Sequence, residues 1–565
     1  RRRKFSPSWR RQPPLLPYPV FSCMANGAAD ASAPLARPLA EFSDEEVLRL
    51  PSPHGAPHLG MKKKDFDAVV DTQEPGDHYG LSFPHCLEMF EQMGAGWLTE
   101  AMHAAGTLPE DNSVKTLKEV IGLSLDPAKG EALGGAGVKV LLVVEYEKPH
   151  PSLHTELFVK VPHPPGPKSN RYQVSTRDLC DEGEVMFNRV LSSAMPFRVP
   201  KYYFGDISRK NTNCCLICEK LEFAKEWKSL EEFAPYEIFP MMDKNKDYNI
   251  PDKGLSMYPA LGKAMGKLVG AYHSGKLGPK ERLARLFYGA TEDVTARLAE
   301  GWPPPWLKTP APETLAHLEA QAEQNVNQVQ GMCLVACDFM LNVCPGLFPK
   351  EIKDRQWLKQ FMKQVSHVAQ YQAEIDVYLG SCPDCFALVH GNLQIDNAFY
   401  YKNDKGEVEA GLLDWGGVGH SNAVNAMARN WIAAEPEVMD AVDQQILDNF
   451  VKECEANGGP KLDKNKVLYM ARLTQATFGF AMATHLSKVY GYYPKKDPMW
   501  GEIKDRWDPR VEGVFNMRYP TANWKNFLLC WKSAKRSPYK VFLKWVNENK
   551  WLPKKKAPKS PDPIP

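Results

Sequence analysis

Two short runs carry the most informative residues of this 565-residue chain: LVHGNLQIDN at 388–397 and, after a charged turn, GLLDWG at 411–416. The pattern predicts a strand, a loop and a second strand, with Asn397 on the loop and Asp414 at the end of the second strand. An amide oxygen and a carboxylate oxygen placed together suit Mg²⁺ bound beside phosphate groups. The two runs therefore predict a metal-assisted phosphate site.

Protein kinases place their catalytic and metal-binding residues in H-R-D-x-x-x-x-N followed by D-F-G. The runs at 388–397 and 411–416 resemble the small-molecule branch of that fold, whose version is H-G-D-x-x-x-x-N followed by D-W or D-F. This branch contains the aminoglycoside phosphotransferases, the choline kinases and the ecdysteroid kinase-like (CHK-like) proteins. The resemblance implies an α+β, protein-kinase-like bilobal fold, with a small β-rich N-lobe and a large, mostly α-helical C-lobe. It also implies ATP and Mg²⁺ as cofactors and a small-molecule acceptor with a hydroxyl.

Two elements upstream of these runs follow in the order that the resemblance requires. LFVKVP at 157–162 is similar to the family's F-V-K-V-P strand, which would offer Lys160 to the α- and β-phosphates. EVMFNRVL at 184–191 is similar to the family's E-x-x-F-Y-x-x-L helix, which implies that Glu184 pairs with Lys160. A surface position explains Lys160 or Glu184 equally well when each is taken alone. The prediction depends on the motifs occurring in the order that the resemblance requires.

A hinge and a helix complete the resemblance. LICEKL at 216–221 looks like the family's hinge, whose backbone at Glu219 and Leu221 would face adenine. Ala260–His273 matches the helix that precedes the catalytic loop.

A glycine cluster lies between two predicted strands ahead of Lys160. Flexible backbone at this place could close over phosphates, and a plain hairpin loop explains the composition equally well. The residues concerned are Gly130, Gly134, Gly135 and Gly137.

Two amides stand where the family has acids. The loop aspartate, which steers or accepts the acceptor's hydroxyl proton, is Asn392 here, and an amide takes no proton at neutral pH. Asn425 stands where relatives commonly show the aspartate of D-L-A. Asp396 is acidic and close in sequence, but the family often has an acid just before its metal-binding asparagine, so we do not assign it the role of base.

Two functions remain open from the sequence. The first is an ATP-dependent phosphotransferase acting on a hydroxyl of a small molecule, in which His390 braces the loop and Asn392 positions the acceptor. The second is a pseudokinase, a nucleotide-binding or scaffold module without phosphoryl transfer, which would bind a protein partner. The retained Mg-ATP residues favour the enzyme, and the two amides favour the pseudokinase.

Composition shifts divide the chain into four parts. Residues 1–45 are predicted to be a disordered or leader extension, because the first 23 are basic and proline-rich. A translation artefact before Met24 and an organelle-targeting leader explain them equally well. Residues 46–222 are predicted to form the N-lobe with a preceding helical segment, and 223–552 the helical C-lobe. Residues 553–565 are predicted to be a solvated Lys/Pro tail.

Hydrophobic periodicity gives the elements of the N-lobe. Helices are predicted at 87–102 and 171–191. Strands are predicted at 113–125, 138–146, 156–161, 199–204 and 214–221. Beyond residue 223 the pattern is helical, except for a pair of short strands within 387–415.

Composition excludes several classes of protein. A net charge of +2 gives no general reason to bind nucleic acid or an anionic membrane, and no apolar run is long enough to span a bilayer. Thirteen cysteines, an odd number in a long chain, indicate mostly reduced thiols and a cytoplasmic location. The one C-x-x-C spacing, Cys382 to Cys385, lacks a second ligand pair for zinc and predicts a loop before a strand.

Overall fold

The computed structural model describes residues 36–123, 137–166, 169–243, 245–287, 289, 312–550, 552–561 and 564. From residue 34 onward the chain forms one compact unit. Its first part carries a five-stranded sheet and its second part is mostly helical. The fold is therefore α+β, with a small β-rich N-lobe and a large helical C-lobe, as the motifs predict.

The N-lobe contains a five-stranded sheet and four helices. The strands are β1 Val114–Gly122, β2 Gly137–Tyr146, β3 Glu156–Pro162, β4 Tyr202–Ile207 and β5 Cys214–Glu219. The helices are α1 Asp44–Arg49, α2 Lys63–Val69, α3 Leu87–Ala104 and α4 Cys180–Val190. The sheet is antiparallel throughout, with strand order β1-β2-β3-β5-β4. Alternate residues of β2, Val140, Leu142 and Val144, pack on one face against Phe90 and Trp97 of α3.

The predicted continuous helix over 171–191 is wrong. The chain forms a short turn and a π-helical turn, Val174–Asp178, before α4 begins. Leu179 between them has a left-handed backbone, with φ of 48°. The Ser175 hydroxyl donates to the Asp181 carboxylate at 2.7 Å, a local bond that competes with regular helix. Periodicity does not detect such a break, because the apolar residues keep their helical spacing on either side of it.

The stretch 387–415 holds more strands than predicted. β6, Phe386–Val389, pairs with β9, Gly419–Asn422, and β7, Ala398–Lys402, forms a hairpin with β8, Val408–Leu412. Asn397 ends a 3₁₀ turn directly before β7, and Asp414 lies two residues after β8. The strand predicted at 199–204 begins and ends three residues later in the structure, where it is β4.

The C-lobe is built around two helices that approach closely. A stripe of glycines on α5, Met257–His273, faces α11, Pro436–Ala456. A Cβ added at Gly262 would lie 2.7 Å from the Ile446 carbonyl oxygen, and one at Gly266 would lie 2.5 Å from the Phe450 carbonyl oxygen. The C-lobe helices are α5, α6 Lys280–Leu286, α7 Pro312–Asp338, α8 Arg355–Ala369, α9 Gln372–Gly380, α10 Ala423–Ala433, α11, α12 Lys464–Ala476, α13 Gly479–Ser487, α14 Pro509–Glu512, α15 Phe515–Lys532 and α16 Pro538–Glu548.

The N-terminal segment, residues 36–61, connects the two lobes. Arg285 of α6 in the C-lobe donates to the carbonyls of Leu48 and Leu50, at 2.8 and 3.0 Å. Arg209 of the N-lobe donates to the Ser52 carbonyl at 2.6 Å. The folded chain thus begins before the predicted boundary at residue 46.

The described part of the Lys/Pro tail packs on the C-lobe instead of extending into solvent. The Tyr371 hydroxyl donates to the Pro553 carbonyl at 2.7 Å, and Lys555 lies 2.6 Å from the Glu374 carboxylate. Arg355 donates to the Ile564 carbonyl at 2.9 Å. Composition misses this because proline removes backbone donors but leaves carbonyls that side chains can bind.

In the described residues, no helix combines the length and the apolar character that crossing a membrane requires. The cysteines of the same residues are free thiols, and Cys382 precedes a 3₁₀ turn, Pro383–Cys385, that leads directly into β6, as the predicted loop before a strand requires.

The helix contact predicts opposite effects for two glycine-to-alanine changes. Gly266→Ala should lower the free energy of unfolding by about 1–3 kcal/mol, because its Cβ meets the Phe450 carbonyl. Gly331→Ala, on α7 where a Cβ meets open space, should raise it by about 0.5–1 kcal/mol. Urea unfolding measures both. Equal effects of the two changes would contradict the close packing of α5 and α11.

Candidate active site

Lys160 contacts two carboxylates, one from its own lobe and one from the C-lobe. It projects from β3, contacts the Glu184 carboxylate of α4, and places its Nζ 3.1 Å from Asp414 Oδ1. The side chains of Lys160 and Glu184 are 11% and 10% exposed, and that of Asp414 is 32% exposed. The structure therefore brings together three residues that lie up to 254 positions apart in the sequence.

The pKa values of these three residues depend on the balance between burial and the neighbouring charges. Burial alone would lower the pKa of Lys160, but Glu184 and Asp414 raise that pKa well above its usual value. The Lys160 charge lowers the pKa of Asp414 to about 2. The pKa of Glu184 is raised, because its burial and the nearby Asp414 and Asp181 charges outweigh Lys160. The two carboxylates respond in opposite directions because the Lys160 charge outweighs burial at Asp414 and does not outweigh it at Glu184.

Asp414 has a left-handed backbone, with φ of 57°. This conformation costs a non-glycine residue about 1–3 kcal/mol and occurs preferentially at functional sites. The adjacent Trp415 holds it in place. The Trp415 ring stacks on Phe187 of α4, with centroids 3.7 Å apart, and meets His390 edge-on at 4.6 Å. Glu184 and Asp414 are thus positioned by the same aromatic contact.

His390 is fully buried and braces the loop between β6 and β7. Its Nε2 donates to the Leu413 carbonyl at 2.6 Å, and its Nδ1 accepts from the Asn392 N–H at 3.3 Å. These partners require the neutral imidazole, and burial lowers the pKa of His390. The geometry gives His390 a positioning role and not a role as an acid or base.

The two loop asparagines point to different partners. Asn392 Nδ2 donates to Asp414 Oδ2 at 3.2 Å, and the Gln394 amide donates to Asn392 Oδ1. Asn397 Nδ2 donates to the Asn392 carbonyl at 2.8 Å, while the Asn397 carbonyl accepts from the Leu413 N–H at 2.8 Å. These bonds hold the segments of Asn397 and Asp414 side by side.

Asn397 and Asp414 suit Mg²⁺ by donor type. Mg²⁺ is usually held by one or two protein oxygens together with the phosphates of a substrate. The Asn397 amide donates through its nitrogen to the loop, so its side-chain oxygen is turned away from that bond. Within the described ranges, no three His, Cys, Asp or Glu residues form a metal-binding group, and an Asn–Asp pair does not need one.

Of the predicted glycines, only Gly137 lies within the described residues. It begins β2, and a Cβ there would overlap the Val161 carbonyl oxygen and lie 3.2 Å from Lys160 Cγ. Gly137 is therefore needed for the close approach of β2 to the strand that carries Lys160. Gly130, Gly134 and Gly135 lie outside the described residues.

The two predicted hinge residues, Glu219 and Leu221, make different contacts. The Glu219 N–H donates to the Lys201 carbonyl, and its carboxylate accepts from the Lys201 N–H, both at 2.8 Å. The N–H of Glu219 is thus used within the sheet. Leu221 packs in an apolar cluster with Ile238, Phe399 and Tyr401. Phe399 follows Asn397 by two residues, so this cluster lies next to the candidate metal residues.

Asn425 is not brought to the cluster around Lys160. Its side-chain oxygen accepts from the Thr474 hydroxyl at 2.9 Å. It also lines, with Gly391 and Gly417, a cavity of about 440 Å³.

Sequence reasoning missed Lys139 and Phe399. Lys139 of β2 lies directly opposite Lys160 of β3 in the sheet. The signal for Lys139 was a lysine inside an apolar strand. The only sequence signal for Phe399 was its place two residues after Asn397.

Comparison with known proteins gives matches among solved structures only; no family model and no curated protein matches the chain. A choline kinase from Cryptosporidium parvum Iowa II shares 10% identity over 76% of this chain and 93% of its own, with a TM-score of 0.34. The GDP complex of aminoglycoside 2′-phosphotransferase-IIIa shares 10% identity over 72% and 94%, with a TM-score of 0.33. A macrolide 2′-phosphotransferase from Brachybacterium faecium shares 9% over 72% and 92%, with a TM-score of 0.32.

The matched proteins are of the kinds that the motifs resemble.

The Asp414 pairing predicts a specific response to acid. Its pKa of about 2 lies below the value near 4 of an unfolded aspartate, so its stabilising effect is complete above about pH 4 and is lost as the pH falls toward 2. Between pH 5 and 3, the free energy of unfolding should fall more steeply for the wild type than for Asp414→Asn. Denaturant unfolding across this range measures the slopes. Asp65→Asn, at an exposed position on α2, should parallel the wild type, and an equal slope for Asp414→Asn would contradict the pairing.

Proposed function

We propose that this protein is an ATP-dependent phosphotransferase that acts on a hydroxyl group of a small molecule. The observation that carries the proposal is Lys160 paired with Glu184 of the N-lobe and with Asp414 of the C-lobe. A lysine that is fixed by a helix glutamate and meets a left-handed aspartate across a cleft is suited to hold nucleotide phosphates beside a metal-binding carboxylate.

Each residue has a distinct role in this proposal. Lys160 binds the α- and β-phosphates, and Glu184 orients Lys160. Asn397 and Asp414 hold Mg²⁺, which when bound neutralises charge on the phosphates. His390 keeps the loop in place through its bond to the Leu413 carbonyl. The backbone at Leu221 would face the nucleobase, and the Leu221 side chain packs in a buried apolar cluster with Ile238, Phe399 and Tyr401.

Asn392 positions the acceptor hydroxyl without taking its proton. A general base contributes about 10²–10⁴ in rate, and the low end applies when phosphoryl transfer passes through a loose transition state. A hundredfold loss corresponds to about 2.7 kcal/mol of activation free energy. Slow turnover by the other residues of the site is therefore compatible with the loss of the general base.

The alternative is a pseudokinase, and one contact favours it. The Asn392 amide donates to the carboxylate that a metal would need. An aspartate at this place would repel Asp414, so the amide stabilises the cluster when no cation is bound. A protein that no longer transfers phosphate is stabilised by asparagine in place of aspartate at this position. An active enzyme must break the hydrogen bond between Asn392 and Asp414.

Nucleotide binding tests the metal pair without knowledge of the acceptor. In calorimetry, Mg-ATP should bind the wild type, ATP without Mg²⁺ should bind more weakly, and Asp414→Ala should lose the effect of Mg²⁺. Asp404→Ala, on the exposed turn between β7 and β8, serves as the matched control and should bind as the wild type does. A folded wild type that binds no Mg-ATP would rule out both the transferase and a nucleotide-binding pseudokinase.

Restoring the acid separates the two functions. Asn392→Asp should raise the transfer of labelled γ-phosphate to water or to a metabolite extract by about 10²-fold. It should also lower the stability of the protein without Mg²⁺, since its carboxylate would face Asp414. Asn403→Asp, in the turn between β7 and β8, controls for added charge. Absence of transfer by both the wild type and Asn392→Asp, with Mg-ATP bound, would favour the pseudokinase.

A further inference from the structure

A second lysine faces the same cleft as Lys160. Lys139 of β2 and Lys160 of β3 are direct partners in the antiparallel register, so their side chains leave the sheet on the same face. Directly opposed residues have Cβ atoms about 4.5–5.5 Å apart. Both lysines are therefore within reach of one ligand.

The face is identified by the residues on either side of each lysine. Val138 and Val140 pack into the apolar cluster beneath α3, as do Val159 and Val161. Lys139 and Lys160 alternate with these valines and so point the other way, toward the cleft in which Lys160 meets Asp414.

Two like charges opposed across a sheet destabilise it. Burial, and next the Lys160 charge, lower the pKa of Lys139 to about 8, while Asp414 and Glu184 act in the opposite direction. Lys139 thus interacts electrostatically with the three charged groups that form the candidate phosphate site. At neutral pH it remains mostly protonated, and a polyanion between the two ammonium groups would relieve their repulsion.

We propose that Lys139 is a second phosphate-binding lysine, which together with Lys160 holds the polyphosphate chain of a nucleoside di- or triphosphate. The inference rests on the proposed function, because it requires a nucleotide in the cleft. Lys160 is held by Glu184 and Asp414, and Lys139 adds a second positive charge on the adjacent strand. Fixed cations aimed at a transferring phosphoryl group stabilise its transition state. Such a charge compensates in part for the absent base at Asn392.

The test compares nucleotides that differ in phosphate content. Dissociation constants of Mg-ATP, Mg-ADP and adenosine are measured for the wild type, Lys139→Met and Lys139→Arg. Lys139→Met should weaken Mg-ATP and Mg-ADP by about tenfold or more and leave adenosine unchanged, because a charge-assisted contact to phosphate is lost. Lys139→Arg keeps the charge and should restore binding to within about threefold of the wild type. Lys118→Met, on the exposed side of β1, should bind all ligands as the wild type does.

Thermal unfolding without nucleotide excludes a folding defect. Lys139→Met and Lys139→Arg should both unfold in one cooperative transition, which shows that a loss of nucleotide affinity is not a loss of fold. Equal Mg-ATP affinity of the wild type and Lys139→Met would overturn the inference and leave the proposed function intact. So would an equal loss of adenosine and Mg-ATP binding, which indicates a packing role. A wild type that binds no Mg-ATP would overturn both proposals together.

Discussion

The contact of Lys160 with Glu184 and Asp414 is the interaction on which the rest of the structure depends. Removing one partner of a buried ion pair leaves an uncompensated charge, which costs far more than the pair contributes. The sheet, helix α4 and the loop after β8 must therefore keep their relative positions. Trp415, stacked on Phe187, supplies the apolar part of the same restraint, and Arg209 and Arg285 add a second connection between the lobes through residues 36–61.

The site is electrostatically balanced in a way that suits an anionic, metal-bound ligand. Lys160 compensates Glu184 and Asp414, and the Asn392 amide satisfies the second oxygen of Asp414. A cation at Asp414 would take over part of the role of Lys160 and free that lysine for phosphate. The amide at Asn392 shifts the chemistry away from proton transfer. Charge stabilisation and positioning, which dominate phosphoryl transfer, would then carry the reaction.

Residues with a fixed order along the chain were predictable, because the family's motif spacing assigns them without a structure. The motif spacing singled out Lys160, Glu184, His390, Asn397 and Asp414, and the structure brings their segments into contact. Lys139 was not found, since its role depends on the β2–β3 register, which strand periodicity does not define. The break at Leu179 escaped for a related reason: one left-handed residue leaves the apolar spacing unchanged. The packed tail depends on long-range bonds to carbonyls, which composition does not reveal.

A crystal structure with Mg²⁺ and a non-hydrolysable ATP analogue tests the central claim most directly. We expect the analogue between the lobes, its phosphates on Lys160 and its metal ion between Asn397 and Asp414. The Lys160–Glu184 contact should be retained, and the Asn392–Asp414 hydrogen bond should be broken or lengthened. A structure in which Lys160 still binds Asp414 and the analogue lies elsewhere, or is absent at saturating concentration, would contradict the claim.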